Sequence, residues 1–223
     1  MKFLYADELK RIFQVTGYFY TLNVSGVNFP CRSILEIKRI RGISTISKLP
    51  DAVVVMMNPG SSVPLLDNFE PQVFSSEDVS EIGSGKIMVP TRPDNAQYQI
   101  MRLMQFKKWD FVRVLNLSDL RNGNSSNFKD DFKRFETLSS DSIHSIVHPT
   151  RRSELGLAVK CNGDTKIIAG WGSVDVLQSL AIEFLSLFDT ISGLETTYPW
   201  YRYPSPYRKD QKLEWLKEIR KIV

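Results

Sequence analysis

The run Ala52-Val53-Val54-Val55-Met56-Met57 constrains this chain more than any other feature. An unbroken apolar stretch, with no polar residue alternating, fits a strand covered on both faces. It stops at Asn58-Pro59-Gly60. Two other runs behave alike: Phe111 to Leu115 ends at Asn116, and Ile167 to Ala169 enters Gly170-Trp171-Gly172. A fourth polar motif, Tyr203-Pro204-Ser205-Pro206, lies near the C-terminus. Open parallel α/β sheets bind ligands beyond the carboxyl ends of their strands. Polar residues just past several buried strands are therefore expected to converge on one cleft.

The rest of the chain alternates between strand and helix patterns. Asp94-Asn95 can cap a helix from Ala96 to Lys107, whose apolar residues Ala96, Ile100, Leu103 and Met104 share one face. Lys129–Leu138 and Ser142–Val147 read as helical pieces. Ser173 caps an apolar helix running from Val174 to Phe188, ended by Ser192-Gly193, and Lys209–Ile222 is the last helix. Lys166–Ala169 follows a Gly163-Asp164 turn as the third strand, and Leu194–Thr197 reads as extended. Tyr18–Val24 and Arg32–Ile40 are rich in aromatic and β-branched residues, with turn-like Ser25-Gly26 to Pro30 between them, and read as a hairpin flanking the main sheet. Residues 58–93 hold five Pro and three Gly and read as a long loop. Together these patterns predict an α/β fold, a three-layer α/β/α arrangement with a central, mainly parallel sheet. One domain spans 1–223, with a β-rich N-terminal extension over 1–50 and the core over 51–223.

At 223 residues the chain can bury a full core. Its 42% apolar and 24% charged residues are ordinary for a globular protein, and no 18-residue apolar run predicts a membrane span. The N-terminus turns acidic at Asp7-Glu8, too soon for a signal peptide. Cys31 and Cys161 read as reduced, buried thiols, which points to the cytoplasm. The only histidines, His144 and His148, have i, i+4 spacing but no Glu between them; they read as helix-surface residues, and no metal is expected. Nothing calls for a cofactor, and a monomer is favoured. Residues 198–223 carry seven basic and three acidic residues, an excess equal to the whole net charge of +4. Such a tail suits a phosphate-bearing partner or a solvated helix face.

Each motif has a structural and a chemical reading. Asn58-Pro59-Gly60 is a plain turn, or a side-chain amide that holds a water beside the backbone N–H groups of Gly60 and Ser61. Asn116 caps a loop, or reads the donor–acceptor edge of a pyrimidine. Tyr203-Pro204-Ser205-Pro206 packs Trp200 and Tyr201 on the domain, or holds a serine hydroxyl against a phosphate near Arg208 and Lys209.

Taken in order, these motifs resemble the uracil-DNA glycosylase superfamily. Met56-Met57-Asn58-Pro59-Gly60 is similar to that family's G-I-N-P-G first motif. Val114-Leu115-Asn116-Leu117-Ser118-Asp119-Leu120-Arg121 is similar to its L-L-N run and the loop that follows. Ile168-Ala169-Gly170-Trp171-Gly172-Ser173 resembles its L-L-W-G strand, and Tyr203-Pro204-Ser205-Pro206-Tyr207 stands for H-P-S-P-L. The likeness covers residues 50 to 222 and points to a bacterial and phage branch with an Asn-Pro-Gly first motif.

The resemblance implies hydrolysis of the N-glycosidic bond of a flipped-out deaminated or modified base in DNA. Asn58 would position the water, Gly60 and Ser61 would line the base pocket, and Asn116 would read the base. Tyr203 would stand where the fastest branch has a histidine donor. Ser205 would meet a DNA phosphate beside Arg208, and Tyr207 would take the wedge position. Position alone suggests Phe74 as the stacking aromatic. Asn at position 58 leaves the first motif without a carboxylate. Two rival readings stay open: a non-catalytic nucleic-acid or nucleotide-binding module of this fold, and a glycosidase of free nucleosides or nucleotides.

Overall fold

The structure, a computed structural model, describes residues 3–40 and 48–223. Residues 1–2 and 41–47, which belong to the segment read as an N-terminal extension, lie outside the described residues. A short helix, α1 (Ala6–Lys10), leads into a long hairpin of β1 (Phe13–Val24) and β2 (Val27–Arg39). Ser25 and Gly26 both take positive φ, 52° and 78°, and Val24 pairs with Val27. Positive φ at both central residues is the two-residue turn whose twist suits paired strands. Pro30, read from sequence as part of the turn, lies inside β2, and its carbonyl accepts from the Arg121 N–H at 2.9 Å.

The chain continues through β3 (Ala52–Met56), β4 (Val63–Pro64), β5 (Gln72–Ser75), β6 (Val89–Arg92), α2 (Asn95–Lys107), β7 (Phe111–Asn116), α3 (Ser125–Leu138), α4 (Arg152–Ala158), β8 (Ile167–Ala169), α5 (Gln178–Ser186), β9 (Ser192–Gly193) and α6 (Lys209–Ile219). The strand order is β4-β6-β1-β2-β7-β3-β8-β9, with β5 added beside β1. The protein is mixed α/β, but the expected mainly parallel sheet is corrected to one that is mostly antiparallel. Only the β7-β3-β8-β9 block and the β1–β5 pair run parallel. The hairpin causes the difference: β2 hydrogen-bonds antiparallel to β7 and merges into the main sheet rather than flanking it. Continuous apolar runs identify central strands, but they carry no information about strand direction.

β3 is buried at every residue. Successive side chains alternate between faces, so Val53 and Val55 enter one core and Val54 and Met56 another. The first core also takes Phe128 and Phe135 of α3 and Phe184 of α5. The second takes Leu9 of α1, Ile100 and Met104 of α2, and Trp215 of α6. The region 58–93 is not a plain loop, since it supplies β4, β5 and β6.

The helix expected over 142–147 is absent. Its backbone is spent elsewhere: the His144 carbonyl accepts from Asp119 N–H at 2.9 Å, and the Ser145 hydroxyl donates to the Leu117 carbonyl. His144 is therefore not a surface residue. It is fully buried between the rings of Phe132 and Phe135, with Nδ1 3.0 Å from the Ser118 hydroxyl and Nε2 3.1 Å from Glu136. Burial lowers its pKa below the usual 6.5, against the pull of Glu136. Unfolded chains take up this proton near 6.5 while the folded protein resists it, so stability present above 6.5 is lost as pH falls. The expected slope approaches about 1.4 kcal/mol per pH unit below that point. Denaturant melts of wild type and His144→Gln across pH 5–8 check it; equal slopes would remove His144 as the cause.

Candidate functional site

The motifs after β3 and β8 and the C-terminal segment meet at one cavity of about 610 Å³. Its size is that of a small-molecule site. Asn58, Gly60, Ser61, Tyr203 and Ser205 all line it. Asn58 is almost buried, and its side-chain nitrogen donates to the carbonyls of Asn122, at 2.8 Å, and Leu120, at 3.3 Å. With both amide hydrogens engaged, the orientation is fixed and the carbonyl oxygen is its remaining polar group. These bonds also hold the loop after β7 against the loop after β3. Gly123 continues that contact, since a Cβ there would come within 2.9 Å of Ser61.

The C-terminal wall is held from β8. Gly170 lets the segment approach closely; a Cβ would lie 2.9 Å from Pro204. Gly172 turns the chain with φ +74° and donates to the Tyr201 carbonyl at 2.9 Å. Ser173 does not cap α5: a 3-10 turn over Asp175–Leu177 intervenes, and Ser173 lines the cavity instead. Trp171 is fully buried, edge-on to Tyr201 and Phe184, and donates from Nε1 to the Pro199 carbonyl at 3.0 Å. Burial and the nearby Asp94 carboxylate raise the Tyr203 pKa, so this phenol stays protonated as a hydrogen-bond donor. The Ser205 hydroxyl is buried without a partner.

Four sequence-assigned residues lie outside the wall. Asn116 ends β7 beside Met56, fully buried, with neither amide atom hydrogen-bonded. Tyr207 is 98% exposed, and Arg208 sits at the start of α6, paired with Asp210. Phe74 belongs to β5 and is buried against Tyr20, away from the cavity.

Two residues gain importance that sequence reading did not give them. Asp94, read only as a helix cap, lines the cavity, and burial raises its pKa. Arg32, read only as strand, is buried with Nε and Nη1 unpartnered. Burial lowers its pKa to about 10, while Asp94 pulls the other way. No spacing rule could have found Arg32, because Asp94 and Tyr203 come to it from 62 and 171 positions along the chain. Among the described residues no group of three or more His, Cys, Asp or Glu could hold a metal ion, and no helix is long and apolar enough to cross a membrane. Cys31 and Cys161 are buried free thiols. No family model matches the chain, and neither do any curated protein or solved structure.

Proposed function

We propose that this protein hydrolyses an N-glycosidic bond, with the base held in the 610 Å³ cavity and a uracil-DNA-glycosylase-like α/β/α architecture around it. The observation that carries this reading is convergence: motifs spread over residues 58 to 205 share one cavity wall at the carboxyl ends of parallel strands. The Asn58 carbonyl oxygen accepts a hydrogen bond from the attacking water. Neutral Tyr203 donates to the departing base, where negative charge grows in the transition state. The unpartnered Ser205 hydroxyl meets a phosphate or sugar oxygen. Asn116 has a free donor and acceptor but lies buried outside the cavity wall, so it is not assigned to the base.

One observation favours free nucleosides or nucleotides over DNA. Two cations of the basic C-terminal segment are already engaged, Arg202 with Glu218 and Arg208 with Asp210. DNA binding releases counterions and weakens steeply with salt, whereas a small ligand shows a shallow dependence.

Base release from single- and double-stranded oligonucleotides carrying uracil, hydroxymethyluracil, hypoxanthine or a mismatch tests the reading, with free nucleosides alongside. Asn58→Ala is expected to lower the rate at least ~100-fold, as loss of one positioned polar group does, and to cost about 1–3 kcal/mol of stability because the Asn122 and Leu120 carbonyls lose their donor. No release from any substrate, with salt-sensitive oligonucleotide binding intact, would leave a non-catalytic binding module.

A further inference from the structure

Asp94 is the one acid among the described residues of the cavity wall. Its Oδ1 accepts from the N–H groups of Ala96, at 2.9 Å, and Gln97, at 3.0 Å. That double bond to the first turn of α2 holds the carboxylate in one orientation. Its Oδ2 takes no hydrogen bond from the described residues. This oxygen lies against Gly60, where an added Cβ would come within 2.5 Å of it. Gly60, two residues after Asn58, thus leaves the space that Oδ2 occupies. A capping aspartate on a surface helix needs no such arrangement.

The charges around it fit an ionisable role. Arg32 of β2 acts electrostatically on Asp94 and on Tyr203 and has two unpartnered nitrogens, while Arg202, the charged group of the cavity wall besides Asp94, pairs with Glu218. Arg121 adds a second positive charge near Arg32. Cys31 belongs to the first core, so alternation along β2 turns Arg32 to the opposite face, the one that carries α2. Burial disfavours the carboxylate and Arg32 favours it; burial prevails and raises the Asp94 pKa. A carboxylate that binds protons more readily than usual is a better general base near neutral pH.

Resting on the glycosidase reading, we infer that Asp94 is the proton acceptor for the hydrolytic water, serving from the cap of α2 the purpose a carboxylate at position 58 would serve. Asn58 and Asp94 divide the work: the amide holds the water, and the carboxylate takes its proton. The water oxygen bonds to the anomeric carbon, and the C–N bond breaks with its electron pair going to the base. The water proton passes to Asp94, and the base anion is protonated from solvent. Arg32 favours the ionised form of Asp94.

The test is single-turnover base release across pH by wild type, Asp94→Asn, Asp94→Ala and Asn58→Ala, on whichever substrate of the panel is cleaved. Asn caps helices as well as Asp, so Asp94→Asn retains the fold while losing the base. The wild-type rate is expected to fall as pH drops through the raised Asp94 pKa. Asp94→Asn is expected to lose that limb and at least ~100-fold in rate, and added formate to restore part of the Asp94→Ala rate. If Asp94→Asn keeps both the rate and the limb while Asn58→Ala loses activity, the glycosidase reading stands and the Asp94 role falls. If wild type releases no base from any substrate, the glycosidase reading itself falls and takes this role with it.

Discussion

Arg151→Met is expected to destabilise the protein by about 3–5 kcal/mol, because it leaves buried Asp119 without its ion-pair partner and Glu154 with only Lys86, 3.8 Å away. The Arg151 side chain is wholly buried. Its Nη2 lies 2.8 Å from Asp119 and its Nε 2.9 Å from Glu154. The Tyr20 hydroxyl donates to Asp119 at 2.7 Å, and the Ser33 hydroxyl donates to Glu154. The network joins β1, β2, the loop after β7 and the start of α4. Burial opposes the charge on Arg151, yet Asp119, Tyr20 and Glu154 outweigh it and hold the guanidinium protonated. Burial also pushes Asp119 up to about 6 despite its partner, and its Oδ1 has no hydrogen bond. Without Arg151 that pKa rises further. A carboxylate raised in the folded state is most stable below its unfolded pKa and loses stability as pH rises through the folded value. The deficit is therefore larger at pH 8 than at pH 5. Urea melts at both values check the sign, and adding Asp119→Asn is expected to return part of the loss. An equal deficit at the two pH values would mean that packing, not stranded charge, dominates.

Trp171→Ala should cost about as much, roughly 3–5 kcal/mol, through the void left by a fully buried indole. Its consequence for the site is more specific. The indole stands edge-on to Tyr201, with ring centres 5.2 Å apart, and its N–H holds the Pro199 carbonyl. These contacts join the strand-end motif after β8 to the segment that delivers Tyr203 and Ser205. Ligand affinity should fall alongside stability, whereas a core void remote from the cavity would lower stability alone. Trp171→Phe separates the two contributions. It keeps much of the volume and loses the hydrogen bond, so a stability loss of about 1 kcal/mol is expected. Thermal melts and ligand titrations of both variants provide the comparison; unchanged affinity in Trp171→Ala would mean that the segment is held by other contacts.

Much of the local structure was legible. Ala52–Met57 read as a central strand because nothing polar interrupts it, and the strand that forms, Ala52–Met56, is buried throughout. The helix after Asp94 was legible because the cap and the 3–4 spacing agree, and α2 begins at Asn95 with Asp94 as its cap. The helix expected at 142–147 failed for a reason that lies elsewhere in the chain: its polar groups bond to residues 117–119. The same holds for α5, which starts five residues after Ser173, because the 3-10 turn intervenes and Ser173 belongs to the cavity. Local propensity describes what a segment can do alone, and each of these segments found better partners at a distance.

The site divides along the same line. Asn58, Gly60, Ser61, Tyr203 and Ser205 could be named from sequence because strand ends in α/β proteins face a common edge. Asp94 was hidden behind its capping signal, and Arg32 carried no signal at all. The central strands, the major helices and the polar groups at the strand ends follow from residues near one another in the chain. The direction of the strands, the merging of the hairpin into the sheet and the charges that share a cavity arise from the folded arrangement. Those outcomes depend on hydrogen bonds and electrostatic neighbours that chain order does not encode.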